Sequence, residues 1–402
     1  ETLLDNISAF CSEKRMAEST FGRRAVNDGK FVSRLRDGAR VTPETLTRIQ
    51  KFMAERGVPP SSTSPKELMP LIAGGGSRPS RQREAQEAKP AADSPGHSFR
   101  FFDNRQKYLL FVTTCSEKAV IARRVGLELR GLHPRPPAIR VFDAGMGDGT
   151  VLSHVMREMH LRFPTLPFYL VGKEISLEDV RMSLDKMADR LFEHPATVLV
   201  VTNMYYSEAP WLAPKSLTAA TAMEWREVAL TGNTAHEFGE QISALHPLLA
   251  EHWQARTSPT TGNLIYERPG TLVIYRNDHR FLLEGVIPRR GGSRADFDLV
   301  IASQPYRARA SLEFKAGKVI APLVSALGPG GRLLGIHSCG DDPGLEIVRR
   351  IWANENPFAT NRHDLLRAVR THLGRDARKY NFNAYADARA VFRYEMHTLP
   401  TE

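Results

Sequence analysis

Between Ile139 and Ile336, short and nearly continuous apolar runs alternate with segments whose apolar residues recur every three or four positions. The runs are Ile139–Phe142, Phe168–Val171, Val198–Val201, Leu299–Ala302 and Leu333–Ile336. Runs with so little polar alternation suit parallel strands covered on both faces. The intervening "SLEDVRMSLDKMADRLF" reads as helix, with Ser176 as N-cap and Val180, Leu184, Met187 and Leu191 on one face. Strand and helix alternating in this way specify an α/β fold, a doubly wound sheet. Residues 206–296 separate the third run from the fourth by more than an ordinary crossover. This insertion holds Trp211, Trp225 and Trp253, then two strand-like runs, "GTLVIYRND" and "RFLLEGVIPR", around an expected turn at Asn277-Asp278. It reads either as a wall or lid over a substrate or as a packing or dimer element. Near the end, "FNAYADARAVFRYEMHTL" predicts a terminal antiparallel hairpin with its turn near Asp387.

The 402 residues exceed the usual size of one domain, and a hydrophobic content of 42% is enough for a large core. Residues 1–57 read as short helices, a small all-α module, and 58–97 as a flexible linker rich in Pro, Ser, Gly and Ala, with one short helix near Leu68. The α/β domain is expected over 98–402. No apolar stretch reaches the length of a membrane span, and the first residues lack a signal-peptide centre. Cys11, Cys115 and Cys339 are widely spaced and odd in number, which suggests neither a disulfide framework nor a metal site. The expectation is a soluble, cytoplasmic protein without a metal. The formal net charge of +10 permits a polyanionic partner without specifying one.

The chemistry concentrates at "VFDAGMGDGT", residues 141–150, which lies where the first strand passes into a helix. Glycines at such a turn let backbone approach a ligand, and the helix start offers free N–H groups. A dinucleotide site favours G-x-G-x-x-G, whereas Gly145, Gly147 and Gly149 alternate strictly and Asp143 precedes them. A strand-end acid repels a pyrophosphate but suits a cationic aminoacyl group, which favours S-adenosylmethionine over NAD.

"DAGMGDG" resembles the first motif of the class I S-adenosylmethionine-dependent methyltransferases, with their Rossmann-like sheet. The resemblance spans about Phe101 to Met396. It implies that Glu174, ending the second strand in "FYLVGKEIS", accepts hydrogen bonds from both ribose hydroxyls. It also implies that Asn203 reads the adenine and Met204 covers it, after the third strand "ATVLVVTNMYY". The fourth strand ends in "SQPY", residues 303–306. This is similar to the Asp/Asn/Ser-Pro-Pro-aromatic motif of methyltransferases acting on amino or amide nitrogen. Ser303, the backbone shaped by Pro305, and the Tyr306 ring would hold the nitrogen and turn its lone pair towards the methyl group. Gln304 stands where the family has a first proline, which leaves open the reading that Pro305 ends the strand and Tyr306 packs on a neighbouring loop. His337 and Cys339 follow the fifth strand without a partner visible in the sequence.

Residues 19–53, "STFGRRAVNDGKFVSRLRDGARVTPETLTRIQKFM", resemble the helix-turn-helix of lambda-repressor-type DNA-binding domains. The pattern predicts a helix to Ala25, a turn at Asn27–Gly29, a second helix over Lys30–Arg36, and a third begun by Thr42-Pro43. Phe31, Val32, Leu35, Leu46, Ile49 and Phe52 would share a core. Lys30, Ser33, Arg34 and Arg36 would face DNA, or form a solvated basic face on a bundle used for protein contacts. The reading is thus an S-adenosylmethionine-dependent methyltransferase acting on an amino or amide nitrogen, with DNA the leading substrate or docking partner. The alternatives are a small-molecule or protein methyltransferase, and a DNA-binding regulator whose methyltransferase-like domain senses the cofactor or is inactive.

Overall fold

The computed structural model describes residues 3–14, 16–26, 28–36, 43–54, 115–258, 264–338, 350 and 358–395. The chain divides into two compact units, Glu1–Asp93 and Ser94–Glu402. The expected linker 58–97, its helix near Leu68, Asn27, Thr42 and Cys339 lie outside the described residues.

The first unit contains helices at Leu3–Glu13, Glu18–Val26, Phe31–Arg36 and Pro43–Ala54. Ile7, Phe10, Phe21, Phe31, Val32 and Ile49 are buried together, with Leu35 and Phe52 packed against them. Phe10, Phe21 and Phe52 form a triangle of rings with centroids 5.5–6.0 Å apart, a spacing at which edge-on contacts add to simple burial.

The second unit is built on a mixed seven-stranded sheet flanked by helices, compatible with a Rossmann-like fold. Its strands are β1 (Ile139–Asp143), β2 (Phe168–Lys173), β3 (Thr197–Thr202), β4 (Glu224–Leu230), β7 (Gly270–Arg276), β8 (Phe297–Ser303) and β9 (Leu327–Ile336). A separate antiparallel pair comprises β5 (Ala255–Thr257) and β6 (Leu264–Tyr266). The sheet order is β4-β7-β3-β2-β1-β8-β9. The five expected runs all become strands, and they pair in parallel. β2 and β3 are buried at every residue, because helices cover both faces. One apolar layer holds Val141, Leu170 and Leu199, and the other holds Phe142, Val171 and Val200. Successive strand residues point to opposite faces, so each strand feeds both layers.

The insertion, left open between a wall or lid and a packing or dimer element, extends the sheet: β7 joins β3 in antiparallel register, and β4 joins β7 as the outer edge. Two expectations are corrected. "RFLLEGVIPR" is not a strand, and no hairpin forms at Asn277-Asp278. A 3-10 turn at Asn277–His279 leads into a helix at Arg280–Leu283. A strand would have buried Phe281 and Leu283 on one face, whereas Leu283 is fully buried and Phe281 is 93% exposed. The terminal hairpin is also absent among the described residues. Residues 380–395 carry a short helix at Asp387–Ala390, and 383–389 are all exposed, so the centre of the expected hairpin has no buried face to pay for pairing, while Tyr380, Phe382 and Phe392 on either side pack on the core. Ser176 caps its helix as expected, accepting from the Asp179 N–H.

Beneath the sheet, two histidines hold each other in defined tautomers. His194 Nε2 lies 2.9 Å from the Leu166 carbonyl, which only accepts, so this nitrogen carries the hydrogen. His194 Nδ1 is then an acceptor, and His160 Nδ1, 3.0 Å away, is the donor. The His194 ring also stacks on Phe168 at 3.7 Å. Burial lowers the His194 pKa, and the neighbouring His160 lowers it further. The native state therefore binds fewer protons than the unfolded state just below pH 6.5. The stability this pair contributes is complete above the unfolded value and is lost as pH falls below it. Urea unfolding followed by tryptophan fluorescence reports on the second unit, where all four tryptophans lie. Between pH 7.5 and 5.5 the wild-type midpoint should fall more than that of His194→Gln; parallel shifts in the two proteins would exclude this source.

Candidate functional site

The carboxyl ends of β1, β2 and β8 bring together most of the residues singled out by sequence. The three glycines differ in purpose. A Cβ on Gly149 would stand 2.4 Å from Ser183 Oγ and 2.9 Å from Ser183 Cα, so this glycine lets the following helix pack. A Cβ on Gly145 would meet the Ser303 carbonyl at 3.5 Å, across to the loop after β8. At Gly147, with φ of 54°, it would meet nothing closer than 4.0 Å. The missing side chain at Gly147 alone leaves open space over the turn. Asp148, the loop's second acid, is structural: Lys118 lies 2.8 Å from its carboxylate and Lys186 3.5 Å, and despite burial these lysines lower its pKa to about 2.

Glu174 joins this turn to the next. Its Oε2 accepts from the Gly147 N–H at 3.0 Å, and its Oε1 accepts from the N–H groups of Ile175 and Ser176 at 2.8 and 2.9 Å. A carboxylate offers about four acceptor positions. In this geometry Glu174 retains one, where two were expected for a pair of hydroxyls. Asp143 is buried and accepts from the Gly145 N–H at 3.2 Å. Burial, with the nearby charge of Glu174, raises its pKa to about 7.

Two residues that the sequence reading passed over complete the centre. The Lys173 ammonium lies 4.8 Å from the centroid of the Tyr206 ring, and burial lowers its pKa. The Tyr206 hydroxyl donates to the Pro305 carbonyl. Burial raises its pKa, and the carboxylates of Glu174 and Asp143 add to the effect. Lys173 carried a signal, being a lysine inside an otherwise apolar strand. The contact between Tyr206 and Pro305 spans 99 residues and left no local trace.

Asn203 and Met204 follow directly on β3. The Asn203 carbonyl accepts from the Gly270 N–H at 2.7 Å, and its amide donates to the Arg268 carbonyl at 2.9 Å. These bonds hold the segment entering β7 and leave the amide one hydrogen and one acceptor position. Met204 is fully buried within an apolar layer. The insertion nonetheless supplies a wall here. Trp253 Nε1 donates to the Glu174 carbonyl at 3.1 Å, and the Tyr205 and Tyr266 rings lie 4.5 Å apart. Glu208 accepts from the Tyr266 hydroxyl at 3.0 Å and from the Lys215 N–H at 2.9 Å, which fixes this aromatic ledge.

The "SQPY" loop is strained and held from several sides. Gln304 has φ of 46°, a left-handed conformation uncommon for a side-chain-bearing residue and associated with functional loops. Its N–H reaches the Ile336 carbonyl at 2.9 Å and its side-chain amide reaches Ser338 at 2.9 Å. The Tyr306 hydroxyl shares a 3.1 Å hydrogen bond with His337 Nδ1. Lys315 stands 5.3 Å from the centroid of the Tyr306 ring and donates to the Ala308 carbonyl and Thr360. Burial lowers the pKa of His337, as do the charges of Lys315 and Arg362, so the imidazole is neutral at pH 7. Ser303, at the end of β8, is partly exposed. His337 thus gains the partner that sequence did not show.

In the first unit, Lys30, Ser33, Arg34 and Arg36 are all exposed. Arg34 is paired with Asp28, and Arg36 reaches Glu18 at 2.8 Å. Leu46 has no described side chain. Among the described residues, no group of three or more His, Cys, Asp and Glu is placed to hold a metal ion.

A test of the buried centre follows from Asp143. Its native pKa near 7 lies above the ordinary carboxylate value of 3.8, so the native state holds the extra proton between those limits. Its contribution to stability therefore falls as pH rises from 4 to 7, with the full cost present at pH 8. Asp143→Asn keeps an acceptor for Gly145, and it should stabilise the protein at pH 8 by about 2 to 4 kcal/mol but hardly at pH 4. Equal effects at the two pH values in urea unfolding would show that Asp143 is not held protonated. No protein-family model, curated protein or solved structure matches this chain.

Proposed function

We propose that the second unit is an S-adenosylmethionine-dependent methyltransferase acting on an amino or amide nitrogen, with DNA as its leading substrate or docking partner. The observation that carries this reading is the convergence of Asp143, the open turn at Gly147, Glu174 and the strained Gln304 loop at the ends of three adjacent parallel strands. Crevices at such strand ends are the usual ligand sites of open α/β sheets.

The residues present fit the cofactor. Asp143 is a carboxyl poised near neutral pH by burial, so a cation beside it would restore its charge and gain the attraction. Gly147 leaves room above the turn, and Glu174 keeps one acceptor position for a hydroxyl. When bound, S-adenosylmethionine supplies an electrophilic methyl group on a sulfonium. The protein's part is to hold the acceptor nitrogen. The accepting carbonyl is assigned to Gln304, beside the Ser303 hydroxyl, while the Tyr206 hydroxyl occupies one acceptor position of the neighbouring Pro305 carbonyl. The Tyr306 ring, fixed by His337 and faced by Lys315, provides the stacking surface. Orientation of this kind supplies much of the rate enhancement when no strong base is needed.

A small-molecule or protein acceptor is the second reading. It is favoured by the pairing of Arg34 and Arg36 with acids of their own unit, which reduces the charge they offer to DNA.

Calorimetry should show binding of S-adenosylmethionine that weakens at least tenfold in Gly147→Ala. The added methyl occupies the open space with only the Gly145 carbonyl at 4.0 Å, and the strain of a side chain at φ of 54°, about 1 kcal/mol, is read separately by urea unfolding. An unchanged affinity in the folded variant would overturn the cofactor site. With labelled methyl donor and a panel of oligonucleotides, nucleosides and proteins, product analysis should place the methyl on nitrogen. Tyr306→Ala should slow transfer about thirtyfold, equivalent to about 2 kcal/mol of transition-state stabilisation, with cofactor affinity retained. A product methylated on carbon or oxygen would refute the role given to the loop.

A further inference from the structure

The outer edge of the sheet, with β7, β3 and β2 between β4 and β1, carries a second feature. β7 runs against β3, so Tyr275 lies beside Val198 near the start of that strand, and the chain leaves β7 at the end remote from Asp143. The segment 277–290 then lines an open cleft of about 680 Å³ along β4, past Glu227 to Trp225, which stands level with Thr271 and Thr202. That volume is within the range of ligand sites.

Its lining combines aromatic rings with guanidinium groups. Trp225 contributes from β4, and Phe281 stands on the rim with 93% of its surface exposed. The cleft also holds Arg280, Arg289 and Arg290 against Glu227, Asp278 and Glu284. Two of these acids are already engaged. Glu227 accepts from the Tyr275 hydroxyl and lies 3.7 Å from Arg280, and Asp278 is held by Arg276 and His279, which lower its pKa to about 2. Arg290 donates to the Ala220 carbonyl. Arg289 has no ion pair among the described residues, and neither does Glu284. Arginines and acids are equal in number here, and once the paired groups are set aside Arg289 and Arg290 stand against Glu284, in a cleft with the exposed Phe281 on its rim.

We propose that this cleft binds single-stranded nucleic acid, with a base stacked on Phe281 beside Trp225 and phosphates at Arg289 and Arg290. An exposed Phe281 and a half-buried Trp225 in one cleft with arginines match the chemistry of a single strand, whose bases present flat faces at regular intervals between phosphates. An acidic peptide would use the arginines but leave the rings idle. A closed pocket would suit a free nucleotide better than an open cleft with Phe281 on its rim. The chain's net charge of +10 favours the encounter. The cleft shares no residue with the candidate methyl-transfer site, so the proposal holds whether or not that reading does.

The test uses the full chain and fluorescein-labelled 12-nucleotide oligo(dT) and oligo(U), read by anisotropy between 50 and 200 mM salt. Phe281→Ala should weaken binding about tenfold, with an unchanged circular dichroism spectrum because the ring is exposed. Arg289→Ala should reduce the log-log salt slope by about 0.7, the value for one phosphate contact on a single strand. Photocrosslinking of a 4-thiouridine oligonucleotide should label peptides within 277–290. Wild-type affinity and slope in both cleft variants, crosslinks confined to other segments, displacement by polyglutamate as effective as by unlabelled strand, or a wild-type dimer that Phe281→Ala dissociates would each overturn the proposal.

Discussion

A carboxylate taken out of water holds the two turns on which the candidate site depends. Removing Glu174 from solvent costs several kcal/mol, and the cost is offset by charge-assisted hydrogen bonds from Gly147, Ile175 and Ser176. The same turns are joined a second time through the Met146 N–H and the Lys173 carbonyl at 3.1 Å. Beneath them Met146 lies so close to β2 that a Cβ on Gly172 would fall 2.3 Å from its sulfur. Loss of the carboxylate would leave three amide donors short of a partner, at about 1 to 3 kcal/mol each where they are buried. Position in this region is therefore set by backbone groups, and side chains such as Lys173 and Tyr206 are arranged on that frame.

The insertion gives the second unit its asymmetry. With an antiparallel β7 beside β3, the insertion brings Trp253 and the Tyr205–Tyr266 ledge to the carboxyl ends of the strands. Residues 277–290, which follow β7, line a separate cleft along the edge strand β4. One insertion thus furnishes a wall for one site and most of the lining of another. Asn203 makes this possible, because its side chain satisfies two backbone groups where β7 begins.

Much of the framework was legible from local chemistry. An apolar run too short for a helix and flanked by glycine or polar caps has few options other than a buried strand, and all five such runs paired in parallel. The strand-to-helix turn at Gly145, Gly147 and Gly149 was equally plain, since Gly147 and Gly149 take left-handed backbone and Gly149 is also crowded. Period alone misled where burial was missing. Residues 383–389, at the centre of the expected hairpin, have no buried face, and Phe281-Leu282-Leu283 is apolar without being a strand.

Which glycine faces open space, which acceptor positions of Glu174 are spent, and whether Asn203 is free were decided only in three dimensions. Each depends on groups 27 to 67 residues away that become neighbours when strands pair. The same holds for Tyr306 with His337 and for Tyr206 with Pro305. Sequence determined where backbone must turn and which segments must leave water, because those requirements act on each residue and its nearest neighbours. The tertiary structure decided charge, tautomer and hydrogen-bond supply, because these are set by the few ångströms between groups that the chain itself holds far apart.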